Sequence, residues 1–157
     1  MYNEKEKGIL KDLKNDESLC VEKYQKYTSR AASPELKDLL SRMERQESEH
    51  LQTISKLMDG NVPVVTNSQA PSSAAMAVSE FSPAPTNYNG DPSAYENDKY
   101  LCTDALATEK HVSGVYDTSI FEFKNKNVRD TLNHIQKEEQ EHGEKIYGFM
   151  AQNGMYN

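Results

Sequence analysis

Two short stretches of this 157-residue chain put polar, chemistry-bearing residues where a helix needs apolar ones: "RQESEHLQTI", with Glu47 and His50, and "KEEQEHGEKI", with Glu139 and His142. Glutamate at i and histidine at i+3 share one face of a helix, so both can reach the same ligand. A lone glutamate precedes each pair by 30 residues, Glu17 before Glu47 and Glu109 before Glu139. Carboxylate oxygen with imidazole nitrogen suits iron, manganese or zinc. Burying one carboxylate without a partner costs several kcal/mol, and four together also repel one another. Such a cluster must hold protons or cations. Two divalent ions would balance four ionised carboxylates with both imidazoles neutral.

The positioning elements can be read from the apolar spacing. The first stripe is Leu10, Leu13, Glu17, Cys20, Tyr24, Tyr27 and Ala31, and the second Leu36, Leu40, Met43, Glu47, His50, Ile54 and Leu57. The third is Cys102, Ala105, Glu109, Val112, Tyr116, Ser119 and Phe123, and the fourth Val128, Leu132, Ile135, Glu139, His142, Ile146 and Phe149. Every step is three or four, the spacing of helices packed in a bundle. No strand-like alternation competes with it. The fold class is therefore all-α, a four-helix bundle of two antiparallel hairpins, 3–59 and 96–153, in one domain over 1–157.

Local signals set the breaks. Ser33 is placed to cap the second helix, with Pro34 at its first position and Glu35 in its first turn. Asn125 or Asn127 serves the fourth helix, with Asp130 in its first turn. Gly60 and Gly154 lie just past the second helix of each hairpin. Residues 60–95 hold five of the six prolines and cannot form a long helix. They connect the two hairpins and are long enough to serve as a crossover running the length of the bundle.

The two hairpins are also a repeat at an offset of 92. Glu17 falls on Glu109, Tyr24 on Tyr116, Glu47 on Glu139, His50 on His142 and Ile54 on Ile146. In an antiparallel hairpin the 30-residue interval brings the lone glutamate level with the Glu-x-x-His pair. With 16 glutamates in the chain, one Glu-x-x-His match carries little weight. Here two of the four histidines match, both on a stripe and both with a stripe glutamate upstream. His111 and His134 lie off the stripes and read as solvated. Glu44, Glu49, Glu138 and Glu141 read as polar flanks, any of which could support a ligating histidine. Tyr24 and Tyr116 read as core aromatics whose hydroxyls find a partner near the site.

The bulk composition excludes several classes. A net charge of −7 without a basic cluster argues against a nucleic-acid partner. No stretch approaches eighteen apolar residues, so no membrane span is expected. "MYNEKEKGIL" lacks a basic segment followed by an apolar one, so synthesis in the cytoplasm without a signal peptide is expected. Two cysteines, Cys20 and Cys102, cannot make a disulfide scaffold and read as buried thiols.

"ESLCVEKY…ERQESEH" and "EKHVSGVY…QKEEQEH" resemble the half-motifs of the ferritin-like di-metal carboxylate proteins, rubrerythrins in particular. That resemblance implies a metal pair, iron or manganese with zinc as an isolation product, held by Glu17, Glu47, His50, Glu109, Glu139 and His142. It also implies O2 or peroxide as a small-molecule partner. The chain departs from rubrerythrins in lacking a rubredoxin module and in having Leu106 where they tend to carry an extra glutamate. The tail "YDTSIFEFKNKNVRDTLNHIQKEEQEHGEKIYGFMAQNGMY" is similar to the spore coat protein F family of endospore-forming bacteria. That likeness implies a place in the spore coat, other coat proteins or a second copy of the chain as partners, and a ferritin-like fold. Two functions follow: di-metal redox chemistry with O2 or peroxide, or a structural coat protein whose metal site is vestigial, structural or sequestering. The spacing assigns no catalytic residue: the metal pair itself would carry the chemistry, with Tyr24 and Tyr116 as candidates to support it.

Overall fold

Four helices account for most of the computed structural model, which describes residues 1–65 and 77–156. They are α1 (Glu4–Arg30), α2 (Pro34–Met58), α3 (Pro92–Ile120) and α4 (Lys126–Gln152), and no strand occurs among the described residues. The caps explain the boundaries. Asn3 and Glu6 form a reciprocal capping box at the start of α1. The Ser33 hydroxyl accepts from the Leu36 amide, with Pro34 opening α2. Asn125, one of the two candidates, caps α4. Gly60 and Gly154 have φ of 83° and 70°, the left-handed conformation that ends a helix at low cost in glycine. The third helix starts at Pro92 rather than at 96. Asp91 accepts from the Ser93 and Ala94 amides, and a proline just inside a helix costs nothing because its missing N–H has no partner there anyway.

α1 packs on α2 and α3 on α4, with lighter contact of α1 with α3 and of α2 with α4. Two buried carboxylates lock the hairpins together. Asp98, fully buried near the start of α3, accepts from the Ala32 amide at 2.7 Å, the Ser33 amide at 3.0 Å and the Tyr88 hydroxyl at 2.8 Å. Glu6, near the start of α1, accepts from the Lys124 amide at 3.2 Å in the α3–α4 turn. The head of each first helix is thus pinned to the turn of the other hairpin. It follows that α1 and α3 run in opposite directions and that α2 and α3 run in the same one, so the α2–α3 connection must travel the length of the bundle, about 40 Å. Its described part includes a 3₁₀ turn at Val78–Glu80 packed on α4 and α2, with Val78 buried. Phe81 lies under the Arg42 guanidinium, and Gln152 donates to the Pro83 carbonyl. The remainder of the expected crossover, 66–76, lies outside the described residues.

Every residue of the second, third and fourth stripes is buried, and in the first only Tyr27 is partly exposed. The apolar core falls into two clusters. One gathers Tyr24, Leu36, Leu40, Met43, Cys102, Ala105, Ile146 and Phe149; the other Leu10, Leu13, Cys20, Ile54, Val112, Leu132 and Ile135. The polar interruptions of the stripes lie between these clusters in sequence on α2, α3 and α4, while on α1 Glu17 falls inside the second cluster, between Leu13 and Cys20. Cys20 and Cys102 are free and belong to different clusters. No helix is long and apolar enough to cross a membrane among the described residues.

Candidate metal centre

Glu17, Glu47, His50, Glu109, Glu139 and His142 come together, and none is more than 2% exposed. The helices supply them in two equivalent sets: α1 gives Glu17, α3 gives Glu109, α2 gives Glu47 and His50, and α4 gives Glu139 and His142. The side chains form two ligand groups, Glu17–Glu47–His50–Glu139 and Glu47–Glu109–Glu139–His142, each with one donor atom per residue within 4.8 Å of the others. Glu47 and Glu139 belong to both groups. His50 Nδ1 is 3.1 Å from Glu47 Oε2 and 3.1 Å from Glu139 Oε1. His142 Nδ1 is 3.1 Å from Glu47 Oε1 and 3.2 Å from Glu109 Oε1. The two imidazoles stack with centroids 6.0 Å apart.

The first and third helices cross-support each other. The Tyr24 hydroxyl of α1 donates to Glu109 of α3, and the Tyr116 hydroxyl of α3 donates to Glu17 of α1. Burial and the neighbouring carboxylates push both phenols well above their ordinary values, so they remain donors. Each terminal glutamate has one oxygen fixed this way. The other oxygen, Oε2 of Glu17 and of Glu109, is buried with no hydrogen-bond partner, as is Oε2 of Glu139. Orphaned carboxylate oxygens inside a protein are costly unless a cation or proton answers them.

Without metal the groups share protons. Burial, and then repulsion from Glu47, pushes Glu17 and Glu139 well above the usual carboxylate range. Glu47 goes the other way: burial opposes its ionisation, but hydrogen bonds from His142 and His50 outweigh burial and hold it well below that range. Burial likewise disfavours a charged His50, yet the facing carboxylates of Glu138, Glu139 and Glu47 hold its imidazole well above the ordinary value. His142 is held up at about 10 by Glu109 and Glu47, again against burial.

The metal fit follows from the donor set. Oxygens and nitrogens on one ion, bonded at about 2.0–2.2 Å, stand about 3–4 Å apart. The donor atoms of each group lie within 4.8 Å of one another, so a small inward movement would bring them to that spacing, and the three orphaned oxygens mark where a cation would replace the shared protons. Glu17 and His50 would hold one ion, Glu109 and His142 a second, and Glu47 and Glu139 would serve both.

Two further residues complete the surroundings. His142 Nε2 lies 2.5 Å from Gln46 Oε1, and His50 Nε2 faces Glu138 Oε1 at 3.4 Å. Gln46 Nε2 in turn donates to Glu138, and His134 Nε2 lies 2.9 Å from Glu138 Oε1. Glu138 thus does what a polar flank was expected to do only in support of a histidine, and His134, expected to be solvated, is half-exposed but tied to it. Gln46 escapes a reading based on ionisable residues alone. The offset of 92 marks it, because it maps 46 onto 138. His50, Gln46, His134 and Glu138 line one wall of an open cavity of about 920 Å³ on the α2–α4 side.

Neither the curated proteins nor the solved structures include a match to this chain. The Coat F domain family matches over residues 97–157, a span that covers all but the first five residues of the α3–α4 hairpin and includes Glu109, Glu139 and His142.

Proposed function

We propose that this chain is a spore-coat-type protein with a ferritin-like helical bundle that binds two divalent metal ions in its core. The Coat F match over the second hairpin supports the coat setting. The observation that carries the metal reading is the pair of interlocked ligand groups sharing Glu47 and Glu139, with three buried carboxylate oxygens that no protein donor reaches. In this reading the ions neutralise the buried carboxylates, stiffen the bundle and are held in reserve. The chain's own residues orient the ligands: Tyr116 and Tyr24 fix Glu17 and Glu109, while Glu138 and Gln46 face the outer nitrogens of His50 and His142.

A second reading, redox chemistry with O2 or peroxide, is favoured by one observation: among the described residues, the cavity on the α2–α4 side is lined by one of the six ligands, His50. A redox-active metal pair would supply electron exchange with the oxidant. The chain's contribution would be a dry site between two apolar clusters.

Metal analysis of protein purified without chelator separates these from a metal-free coat bundle. About two ions per chain are expected, falling to none in a Glu47→Gln/Glu139→Gln double variant that keeps its helicity. Full helicity with no metal in the wild-type protein would overturn the metal reading. If peroxide added to the reduced, iron- or manganese-loaded protein leaves the metal spectrum unchanged, the reserve and structural role stands and the redox reading falls.

A further inference from the structure

The two halves of the cluster match ligand for ligand, but the groups behind the two histidines do not. Gln46 and Glu138 occupy equivalent places, each four residues before the histidine of its own helix and each facing the histidine of the other. Their order is fixed by a chain of contacts. His134 and Gln46 Nε2 both engage Glu138, so the Gln46 amide presents its oxygen to His142. Both histidines turn Nδ1 inward, so a metal bound there leaves an N–H at Nε2. On His50 that N–H faces a carboxylate 3.4 Å away, an ion-pair contact without hydrogen-bond geometry in the metal-free protein; on His142 it faces a neutral amide. A carboxylate behind a ligating imidazole makes the ring a stronger donor and adds negative charge to the site.

We propose that Glu138 makes the two metal positions unequal, so that the Glu17–His50 position binds a divalent ion more tightly and fills first. The inference rests on the metal reading above. Glu138 touches neither ion; it is a positioning residue that acts through His50. The shorter contact is the one to Gln46, at 2.5 Å against 3.4 Å, so contact length alone would favour the other half. The net charge of the partner decides, because an amide of either length carries none.

Repulsion between two ions would separate two binding steps even in a symmetric pair, so the test isolates each half. Cobalt(II) is titrated into metal-free protein and followed by its visible absorption. Glu109→Gln disables the His142 half, and Glu17→Gln disables the His50 half. The ion left in Glu109→Gln should bind about 10-fold to 100-fold more tightly than the ion left in Glu17→Gln. Adding Glu138→Gln to each should erase most of that ratio by weakening the His50 half alone. Gln46→Ala should weaken the His142 half more than the His50 half, which it reaches only through the lost donor to Glu138. A ratio near one, or a ratio that Glu138→Gln leaves intact, overturns the inequality while leaving two-metal binding in place. Circular dichroism checks each fold; if Glu138→Gln unfolds, the ratio between the two single glutamate variants still decides. No cobalt binding to the wild-type protein would sink the metal reading itself.

Discussion

Tyr24 and Tyr116 show how much a single hydroxyl controls in this core. Each is fully buried and donates across the bundle to the lone glutamate of the opposite hairpin. Removing a hydroxyl leaves a buried carboxylate oxygen without its donor, at about 1–3 kcal/mol. Tyr116→Phe and Tyr24→Phe should therefore each lower the metal-free protein's stability by about 1–2 kcal/mol in urea unfolding. With metal, Tyr116→Phe should weaken binding at the Glu17–His50 half and Tyr24→Phe at the Glu109–His142 half, each by about tenfold. Unchanged unfolding midpoints would mean that the hydroxyls are idle. The six ligand positions were legible in the sequence because a polar residue on an apolar stripe is a departure from a strong periodic background. The residues behind them were not, since Gln46 and Glu138 sit one helical position off the stripe, among many polar residues that mostly face water.

At the scale of the helix, the caps and stripes were legible because each depends on neighbours in sequence: Ser33 with Pro34, Asn125, and the left-handed glycines 60 and 154. The start of α3 was not, because a proline within a proline-rich segment reads as its continuation and not as the first helical residue. Glu6 and Asp98 were also missed, since near a helix N-terminus an acidic residue is ordinary. Only the fold buries them, although the offset of 92 places 6 on 98 and could have paired them. Asp98 receives two backbone amides of the α1–α2 turn, the Tyr88 hydroxyl and the Asn97 side-chain amide. Asp98→Ala strands the two turn amides in a buried place. It should cost about 2–4 kcal/mol in urea unfolding and loosen the α1–α2 turn in hydrogen exchange. Glu6→Ala, which frees one amide of the α3–α4 turn and the Asn3 amide of the capping box at an exposed residue that water can reach, should cost less. A larger effect for Glu6→Ala than for Asp98→Ala would contradict this ranking of the two clamps.

For the molecule as a whole, the cluster links protons, metal and stability. In the metal-free state His142 is raised to about 10 and His50 is raised as well, against an unfolded value of about 6.5. Their stabilising contribution is complete below about pH 6.5 and is lost as pH rises through the folded values. Glu17 and Glu139 are raised too, so their contribution is present below the unfolded carboxyl value and is also lost on going up. Glu47 is lowered and acts in the opposite sense, but its contribution is already complete at neutral pH and is lost only in acid. The metal-free bundle should therefore lose stability steadily from pH 6.5 upward. Metal binding replaces the shared protons, so affinity should rise over the same range. Excess ligand stabilises the folded state by RT ln(1 + [L]/Kd), and the gain grows as Kd falls. Calorimetric Tm values with and without excess zinc should accordingly diverge between pH 6.5 and 8.5, the metal-free Tm falling and the loaded Tm holding level. Parallel curves would mean that the buried carboxylates and imidazoles exchange no protons for metal, and that the positive charge the cluster lacks is supplied in some other way.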